Sequence, residues 1–267
     1  MTLFLSPPFA RRWANQDAFV EAERLEGQLY RAMPGRRTLR TEINGRGYFV
    51  KIHHGVGWRE IGKNLLVGKS PVLGAGEEWR ALERLAAAQV PTMTVAAFGE
   101  RGRNPARRQS FLITEEIAPA IDLEVLTQNW QTAPPAFPRK YALMRALAEL
   151  LRNMHGAGVN HRDCYLCHFL LRTETAETKN PALAVIDLHR AQTRAAVPRR
   201  WRDKDLAALY FSALNIGLTR RDKLRFLRLY FACPLRRLLR EEAALLVWLE
   251  KKAALLMARF AQHGARL

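Results

Sequence analysis

Residues 159–171 decide the fold of this chain, and their sequence is VNHRDCYLCHFLL. Immediately before them, residues 138–156 carry apolar side chains at helical spacing, which predicts a long amphipathic helix. A proline in its first turn and glycines at its end are typical of helix boundaries. The apolar residues 169–171 predict a short strand. The charged triplet His-Arg-Asp, residues 161–163, is therefore predicted to lie in a loop between a long helix and a strand.

A second apolar segment further along the chain also ends in an acidic residue. Residues 184–186 predict a strand, and Asp187 follows it directly. The intervening residues 173–180 predict a hairpin that leads into this strand. From about Trp201 onward, the spacing of apolar residues predicts helices almost exclusively. The second half of the chain is therefore predicted to be mostly helical, with an acidic residue, Asp163 or Asp187, beside each of two short strands.

The first part of the chain, up to about residue 118, has a different pattern that is rich in strands. β-Forming residues predict strands at residues 28–33, 38–43, 48–53, 95–100 and 110–117. The Asn44-Gly45 pair predicts a tight hairpin turn, because both residues tolerate a positive φ. Helical spacing predicts one helix at residues 77–89, and the glycine-rich residues 55–76 predict a loop. The first thirty residues show no clear period.

The His-Arg-Asp triplet after a long helix resembles the catalytic loop of protein kinases. This resemblance implies an α+β, bilobal protein-kinase-like fold, with an N-lobe at residues 1–118 and a C-lobe at 119–267. It implies that Asp163 accepts the proton of the attacking hydroxyl and that Asp187 binds the Mg²⁺ that bridges the phosphates of ATP. His168 takes the position of a metal-binding asparagine. It is a candidate second ligand, although imidazole suits Mg²⁺ less well than an amide oxygen.

The strand ending in Tyr-Phe-Val-Lys resembles the kinase strand whose lysine neutralises the ATP phosphates. Lys51 is the lysine in this sequence, and Lys69 is its rival. Its partner should be a glutamate on the following helix. Glu78 is the best placed, with Glu77 and Glu83 as alternatives. The resemblance therefore implies that Lys51 and Glu78 together position the phosphates.

The same resemblance implies a supporting residue and shows one departure from the kinase pattern. Asp205, in the first of the late helices, is expected to accept hydrogen bonds from the backbone of the catalytic loop. A glycine-rich loop is missing between the first two strands, where residues 34–37 read PGRR. That loop is expected to use arginine side chains on the phosphates. Lys51, Asp163 and Asp187 are expected to converge on one nucleotide-sized crevice.

Over essentially its whole length, the chain resembles the lipopolysaccharide core heptose(I) kinase family. The resemblance rests on HRDCYLCHFLL at 161–171 and IDLHRA at 186–191, and it is supported by RRTLR at 36–40, YFVK at 48–51, GWREI at 57–61 and PVLGA at 71–75. It implies an ATP- and Mg²⁺-dependent sugar kinase that phosphorylates the first heptose of the inner core. Kdo kinases, with a His-Gly-Asp-Leu type of loop, match less well.

The charge of the chain suits polyanionic partners. Lys and Arg number 43 against 25 Asp and Glu, a formal net charge of +18, and such a surface attracts anionic ligands and membranes. A lipid-linked lipopolysaccharide core acceptor at the anionic inner face of the cytoplasmic membrane fits this charge, as does an acidic protein partner. We expect no secretory signal and no membrane span, hence a cytoplasmic, peripheral protein. Nucleic acid is not expected, because no recognition signature accompanies the charge.

Several alternatives stay open from the sequence alone. The chain could phosphorylate another acceptor, such as protein, Kdo or another small molecule, or it could be a basic pseudokinase or nucleic-acid-binding module. Cys164, Cys167 and His168 also match a c-type haem attachment pattern, and the cysteine pair could belong to a zinc site. We interpret the cysteines as small apolar residues beside the loop. The amphipathic residues 241–259 predict a helix that packs on the C-lobe or lies on a membrane.

Overall fold

The computed structural model describes residues 1–33, 35–66 and 73–263. It divides the chain into two compact units. The first comprises Met1–Glu83, Met93–Ile117 and Leu188–Arg190, and the second comprises Arg84–Thr92, Ala118–Asp187 and the chain from Ala191 onward. The assignment of ATP binding to residues 1–118 and of catalysis to 119–267 stays a prediction.

A six-stranded antiparallel sheet forms the framework of the first unit. Its strands are β1 (Thr2–Leu5), β2 (Gln28–Met33), β3 (Arg36–Ile43), β4 (Arg46–His53), β5 (Val95–Arg101) and β6 (Gln109–Glu115). They follow the spatial order β1-β5-β6-β4-β3-β2. The β3–β4 hairpin turns at Asn44 and Gly45, whose φ values are 52° and 74°, as the Asn-Gly pair predicted. This hairpin sets the register that aligns Lys51 in β4 with Thr38 in β3.

The first thirty residues form three elements for which the sequence showed no period. They are strand β1 and the short helices α1 (Pro7–Arg12) and α2 (Ala18–Arg24). Their aromatic side chains Phe9, Trp13 and Phe19 are buried in the core of this unit. The Phe19 and Phe111 rings meet edge to face with centroids 5.1 Å apart, a geometry worth about 0.5–1.5 kcal/mol beyond the buried area. This segment is therefore part of the core.

The segment predicted as a glycine-rich loop contains a helix, so that prediction was wrong for part of its length. Helix α3 spans Gly57–Leu66, and α4 spans Gly76–Ala87. Glycine lowers helix propensity by only about 1 kcal/mol, which burial of Ile61 in α3 can outweigh. Helix α4 agrees with the predicted helix, burying Leu82 and Leu85. It brings Glu78 into the first unit.

The second unit is mostly helical, as predicted. Its helices are α5 (Leu123–Thr127), α6 (Phe137–Gly156), α7 (Arg199–Ser212), α8 (Arg220–Phe231), α9 (Leu235–Glu241) and α10 (Ala243–His263). Its strands are β7 (Ala120–Asp122), β8 (Val159–Asn160), β9 (Phe169–Arg172), β10 (Leu183–Val185) and β11 (Gln192–Thr193). They form one sheet in the order β10-β9-β7 and a separate β8–β11 pair. The fold class predicted from the sequence is confirmed in both units.

The last helix packs on the second unit, in agreement with the packing interpretation of residues 241–259. Leu245, Leu249 and Ala253 on α10 are buried, and the Tyr210 hydroxyl of α7 donates to Glu250 Oε2 at 2.7 Å. The other side of α10 leaves Val247 and Leu255 exposed. Within the described ranges, no helix combines the length and the apolar composition that a membrane crossing requires.

Candidate active site

The first unit holds a buried lysine–glutamate pair. Lys51 Nζ lies 2.7 Å from Glu78 Oε1, with the two side chains 12% and 1% exposed. Lys51 is on the central strand β4, and Glu78 is in the first turn of α4. A carboxylate this buried requires a cationic partner. The predicted contact between Lys51 and Glu78 is present, whereas their role towards phosphate stays a prediction.

The charges of Arg36 and Lys51 affect His53, at the end of the same strand. Burial, followed by the charges of Arg36 and Lys51, lowers the pKa of His53 to about 3, so its imidazole is neutral at neutral pH. Arg37 donates to the backbone carbonyl of Glu23. The rival lysine, Lys69, lies outside the described residues. Among the residues described, Lys51 is therefore the cation that pairs with Glu78.

The His-Arg-Asp loop of the second unit begins at a close backbone contact. Gly158 has a φ of +82°, and a Cβ there would lie 2.0 Å from the carbonyl oxygen of Arg194. This close approach lets β8 pair with β11, with Asn160 opposite Gln192. Arg162 then adopts a φ of +73°, an uncommon conformation for a residue with a side chain. Such backbone strain concentrates at functional sites.

Asp205 of helix α7 holds this loop in place, as the sequence predicted. Its Oδ2 accepts the His161 backbone N–H at 2.6 Å, and its Oδ1 accepts the Arg162 N–H at 2.8 Å. His155 Nε2, 3.1 Å from Oδ2, donates to the same carboxylate. The carboxylate is only 1% exposed, so these three donors replace the water that it loses. Asp205 therefore fixes the two residues that precede Asp163.

Hydrogen bonds also join the His-Arg-Asp loop to the segment carrying Asp187. His161 Nε2 donates to the carbonyl of Ile186 at 2.9 Å, and the Ile186 N–H donates to the carbonyl of His168 at 3.0 Å. The imidazoles of His161 and His168 stack with centroids 5.2 Å apart. Asp187 adopts a φ of 55°, again in the left-handed region. The two predicted acidic residues therefore belong to segments that are hydrogen-bonded together.

His168 faces both segments at once. Its Nδ1 lies 2.6 Å from the Asp163 carbonyl oxygen. Because a carbonyl only accepts, Nδ1 carries the proton. Its Nε2 lies 3.7 Å from Asp187 Oδ2. Neighbouring ligands of a near-octahedral Mg²⁺, each about 2.1 Å from the ion, lie about 3 Å apart, so Nε2 and Oδ2 would have to move closer together to share one ion. No three His, Cys, Asp or Glu side chains of the described residues form a metal-holding group.

The two cysteines of the loop have protonated thiols and differ in burial. Burial raises the pKa of the Cys164 thiol well above its usual value, and Cys164 is fully buried. Burial, with added effects from Glu124 and Asp122, raises the pKa of Cys167 to about 11. Both thiols are therefore neutral at neutral pH. Cys164 is a buried packing group, in agreement with the interpretation from the sequence, whereas Cys167 is only partly buried.

One group of side chains near the loop was not predicted from the sequence. Trp201 of α7 has four cationic groups around its ring, from Arg162, Arg194, Arg200 and Lys204. The signal that could have found it is a tryptophan within the basic run PRRWRDK at residues 198–204. Clustered basic side chains attract anions, and an aromatic ring among them can hold them by cation–π attraction.

Comparison with known proteins identifies the family. Residues 20–230 match the model of the lipopolysaccharide kinase (Kdo/WaaP) family. The chain is 60% identical to lipopolysaccharide core heptose(I) kinase WaaP of Pseudomonas aeruginosa, covering 99% of each chain. It is 50% identical to the Escherichia coli protein of the same name over 96% of this chain and 97% of that one.

A solved structure agrees with these relatives. WaaP in complex with acyl carrier protein matches the fold with a TM-score of 0.86 and 56% identity, covering 96% of this chain and 99% of that chain. The predicted resemblance to the heptose(I) kinases is confirmed. With its kinase-like fold and its relatives along nearly the whole length, this chain belongs to the lipopolysaccharide kinase (Kdo/WaaP) family.

Proposed function

We propose that this protein transfers the terminal phosphoryl group of ATP to a hydroxyl of the first heptose in the inner core of lipopolysaccharide. The observation that carries the proposal is the chain's extensive identity to heptose(I) kinases. The Lys51–Glu78 pair and the loop carrying Asp163 provide side chains that phosphoryl transfer requires.

Asp163 acts as the base in this proposal. Phosphoryl transfer depends mainly on positioning and charge neutralisation, so the carboxylate has to orient the heptose hydroxyl and accept its proton. The hydrogen bonds from His161 and Arg162 to Asp205 hold the preceding backbone in one conformation. A fixed backbone reduces the entropy lost when the acceptor hydroxyl is aligned.

ATP and Mg²⁺ are the proposed cofactors. Mg²⁺ neutralises the charge on the phosphates when it is bound. Asp187 Oδ2 and His168 Nε2, 3.7 Å apart, are the proposed protein ligands. Mg²⁺ commonly takes its other ligands from substrate phosphates and water. Lys51, held by Glu78, neutralises the non-transferred phosphates.

The function can be tested in cells that lack the protein. Mass analysis of their core oligosaccharide is expected to show that phosphate on the first heptose has been lost. Wild-type protein should restore it, and an Asp163→Asn variant should not. If the amount of heptose phosphate is unchanged in cells that lack the protein, the heptose assignment is contradicted. That result would favour another acceptor, such as protein or Kdo.

A first prediction concerns the buried pair. Lys51→Met is expected to lower kcat/KM for ATP by about 10²–10³-fold, the usual effect of removing one preorganised charge. The same change leaves Glu78 buried and unpaired, which also lowers stability. The double variant Lys51→Met/Glu78→Leu removes both charges, so its Tm should recover towards wild type while its activity does not. ATP turnover and thermal unfolding are measured on both. Recovery of activity in the double variant would contradict the phosphate role of Lys51.

We also propose an acidic acyl carrier protein as a partner. The related WaaP structure contains such a protein, and the second unit of this chain has an apolar cavity of about 300 Å³, within the usual range for a small-ligand pocket. Leucines of several helices line it, with Arg220 and Lys223 among the lining residues. An acyl chain suits the leucines, and an acidic carrier surface suits the two cations.

The second prediction tests the carrier-protein proposal. Ala213→Trp places a large side chain into the lining of the cavity, so it is expected to weaken binding of an acylated carrier at least about tenfold, or about 1.4 kcal/mol. Calorimetric titration measures this, with the carrier lacking its acyl chain as the reference ligand. Ala254→Trp, at an exposed alanine of α10, is the matched control. Equal affinity of wild type and Ala213→Trp for the acylated carrier would overturn the assignment of the cavity.

The proposed location is the cytoplasm, peripheral at the inner face of the membrane. The net charge of +18 supports it, because each basic residue near an anionic bilayer adds about 1 kcal/mol of attraction. Exposed Leu239 of α9 and exposed Val247 of α10 could then contact the surface beside Arg236 and Arg240, so that the lipid-linked acceptor stays within reach.

A further inference from the structure

Trp201 is surrounded by cations in the second unit. Lys204 Nζ lies 4.3 Å from the ring centroid, and the guanidinium carbons of Arg200, Arg194 and Arg162 lie 5.4, 5.6 and 5.7 Å from it. All four distances fall within the range of cation–π attraction. The ring therefore orders four positive side chains from three segments of the chain: the His-Arg-Asp loop, the residues after β11 and the first turns of α7.

Neighbouring side chains leave much of this positive charge unbalanced. Arg194 donates to the amide oxygens of Asn160 at 2.6 Å and Gln192 at 2.8 Å, and both partners are neutral. Within the described ranges, Arg200 and Lys204 have neither a hydrogen bond nor an ion pair with a carboxylate. Asp203 pairs instead with Arg199 and Arg202.

The titration of Lys204 agrees with this charge excess. Burial, followed by the charges of Arg200, Lys252 and Arg162, lowers its pKa. A lowered lysine pKa means that its surroundings disfavour the protonated form. Asp205, the nearest buried carboxylate of α7, is already engaged by three N–H donors. An incoming anion would therefore relieve repulsion among the cations as well as gain attraction.

The location of the cluster identifies the substrate to which such an anion would belong. Arg162 directly precedes Asp163, the proposed base, and its backbone is fixed by Asp205. The cluster shares no residue with the groups assigned to ATP and Mg²⁺, which are Lys51, Glu78, Asp187 and His168. A group bound at Trp201 lies alongside the loop that receives the acceptor hydroxyl.

We propose that Trp201 and its four surrounding cations bind an acidic group of the acceptor glycan, a sugar carboxylate or a phosphate ester, and so align the heptose hydroxyl with Asp163. Arginine forms paired, charge-assisted hydrogen bonds with either group. The ring holds the side chains ordered beforehand, which reduces the entropy lost on binding. This assignment rests on the proposed heptose kinase function and adds a residue set that recognises the acceptor.

The test is a double variant, Arg200→Gln/Lys204→Gln, which removes two charges while keeping good helix-forming residues. It is expected to raise KM for a deacylated core glycan at least about tenfold, the effect of about 1.4 kcal/mol, while KM for ATP stays within about twofold. Arg221→Gln is the matched control. Arg221 is the second residue of α8, just as Arg200 is the second residue of α7, and it is expected to behave as wild type.

Two modified acceptors identify the anion. In one, the sugar carboxylates are reduced to alcohols, and in the other, phosphate esters have been removed. The modification that removes the group bound at Trp201 should raise the KM of wild type for glycan. Wild type and the double variant should then have the same KM for that modified glycan. If wild type and the double variant have the same KM for unmodified glycan, the assignment of the anion site at Trp201 is overturned, even if wild type phosphorylates heptose.

Direct binding separates this proposal from the kinase function itself. Calorimetric titration of the same glycan into protein without ATP should give an affinity at least about tenfold lower for the double variant. If wild type binds glycan in this Arg200- and Lys204-dependent manner without phosphorylating it, the anion site stands and the heptose kinase function fails. If both proteins bind with equal affinity, the anion site fails.

Discussion

Replacement of Asp163 by asparagine is expected to lower kcat for heptose phosphorylation by about 10²–10⁴-fold, the usual contribution of a general base. Asparagine has nearly the same shape but cannot accept the hydroxyl proton. The Asp163 carbonyl that receives His168 Nδ1 belongs to the backbone and is retained. The loop should therefore keep its conformation while turnover falls. Single-turnover measurement with saturating ATP isolates the chemical step.

Asp203→Asn is the matched control for this variant. Asp203 lies in the same unit, on α7, where its half-buried carboxylate pairs with Arg199 and Arg202. Neither arginine belongs to the His-Arg-Asp loop, so this variant should retain wild-type turnover. Wild-type kcat in Asp163→Asn would mean that a different residue accepts the proton or that the chain acts as a binding module.

Replacement of Asp205 by alanine is expected to remove several kcal/mol of stability together with most activity. It would leave the backbone N–H groups of His161 and Arg162 and the Nε2–H of His155 without their acceptor. Each unsatisfied buried donor costs about 1–3 kcal/mol. The left-handed φ of +73° at Arg162 would lose the hydrogen bond that holds it. Thermal unfolding and turnover below the Tm measure the two effects.

The Asp222→Ala variant shows whether Asp205→Ala loses activity through lower stability or through a changed conformation of the His-Arg-Asp loop. Asp222 is also buried, but it caps α8 and binds Lys140 Nζ at 2.9 Å, away from the His-Arg-Asp loop. It should lower the Tm by a comparable amount while the folded protein keeps its kcat. The kcat values of the two variants are compared under conditions in which the same fraction of each protein is folded. If kcat falls no further in Asp205→Ala than in Asp222→Ala, Asp205 has only a stabilising role.

Much of the fold was predictable because local signals agree with tertiary packing. The Asn44-Gly45 turn adopts the positive φ values that its residues allow, and the helix predicted at 138–156 forms at Phe137–Gly156. The Lys51–Glu78 contact and the loop contacts of Asp205 followed from the kinase resemblance. These are features that short sequence patterns specify.

The elements that were not predicted depend on distant partners. Helices α1 and α2 have only six and seven residues, too short to show a period, and their burial depends on Phe111 in β6, far along the chain. Strand β1 pairs with β5. Helix α3 was not predicted, because the glycines in and around it favour a loop. For such segments, tertiary packing decides the structure and local propensity does not.

The side-chain arrangement near Asp163 was also beyond the sequence patterns. The position of His168 was identified, but its bond to the Asp163 carbonyl and its approach to Asp187 require the folded loop. The cations around Trp201 come from residues 162 to 204, and they meet only because β8 pairs with β11 beside α7. Neither arrangement has a fixed spacing that a pattern could detect.

The central claim is tested most directly by incubating the purified protein with ATP, Mg²⁺ and core glycan whose heptose phosphate has been removed enzymatically. The account predicts that one ADP forms for each phosphate added and that fragmentation places this phosphate on the first heptose. ATP consumption without phosphorylated glycan, or phosphate found on any other residue, would contradict it.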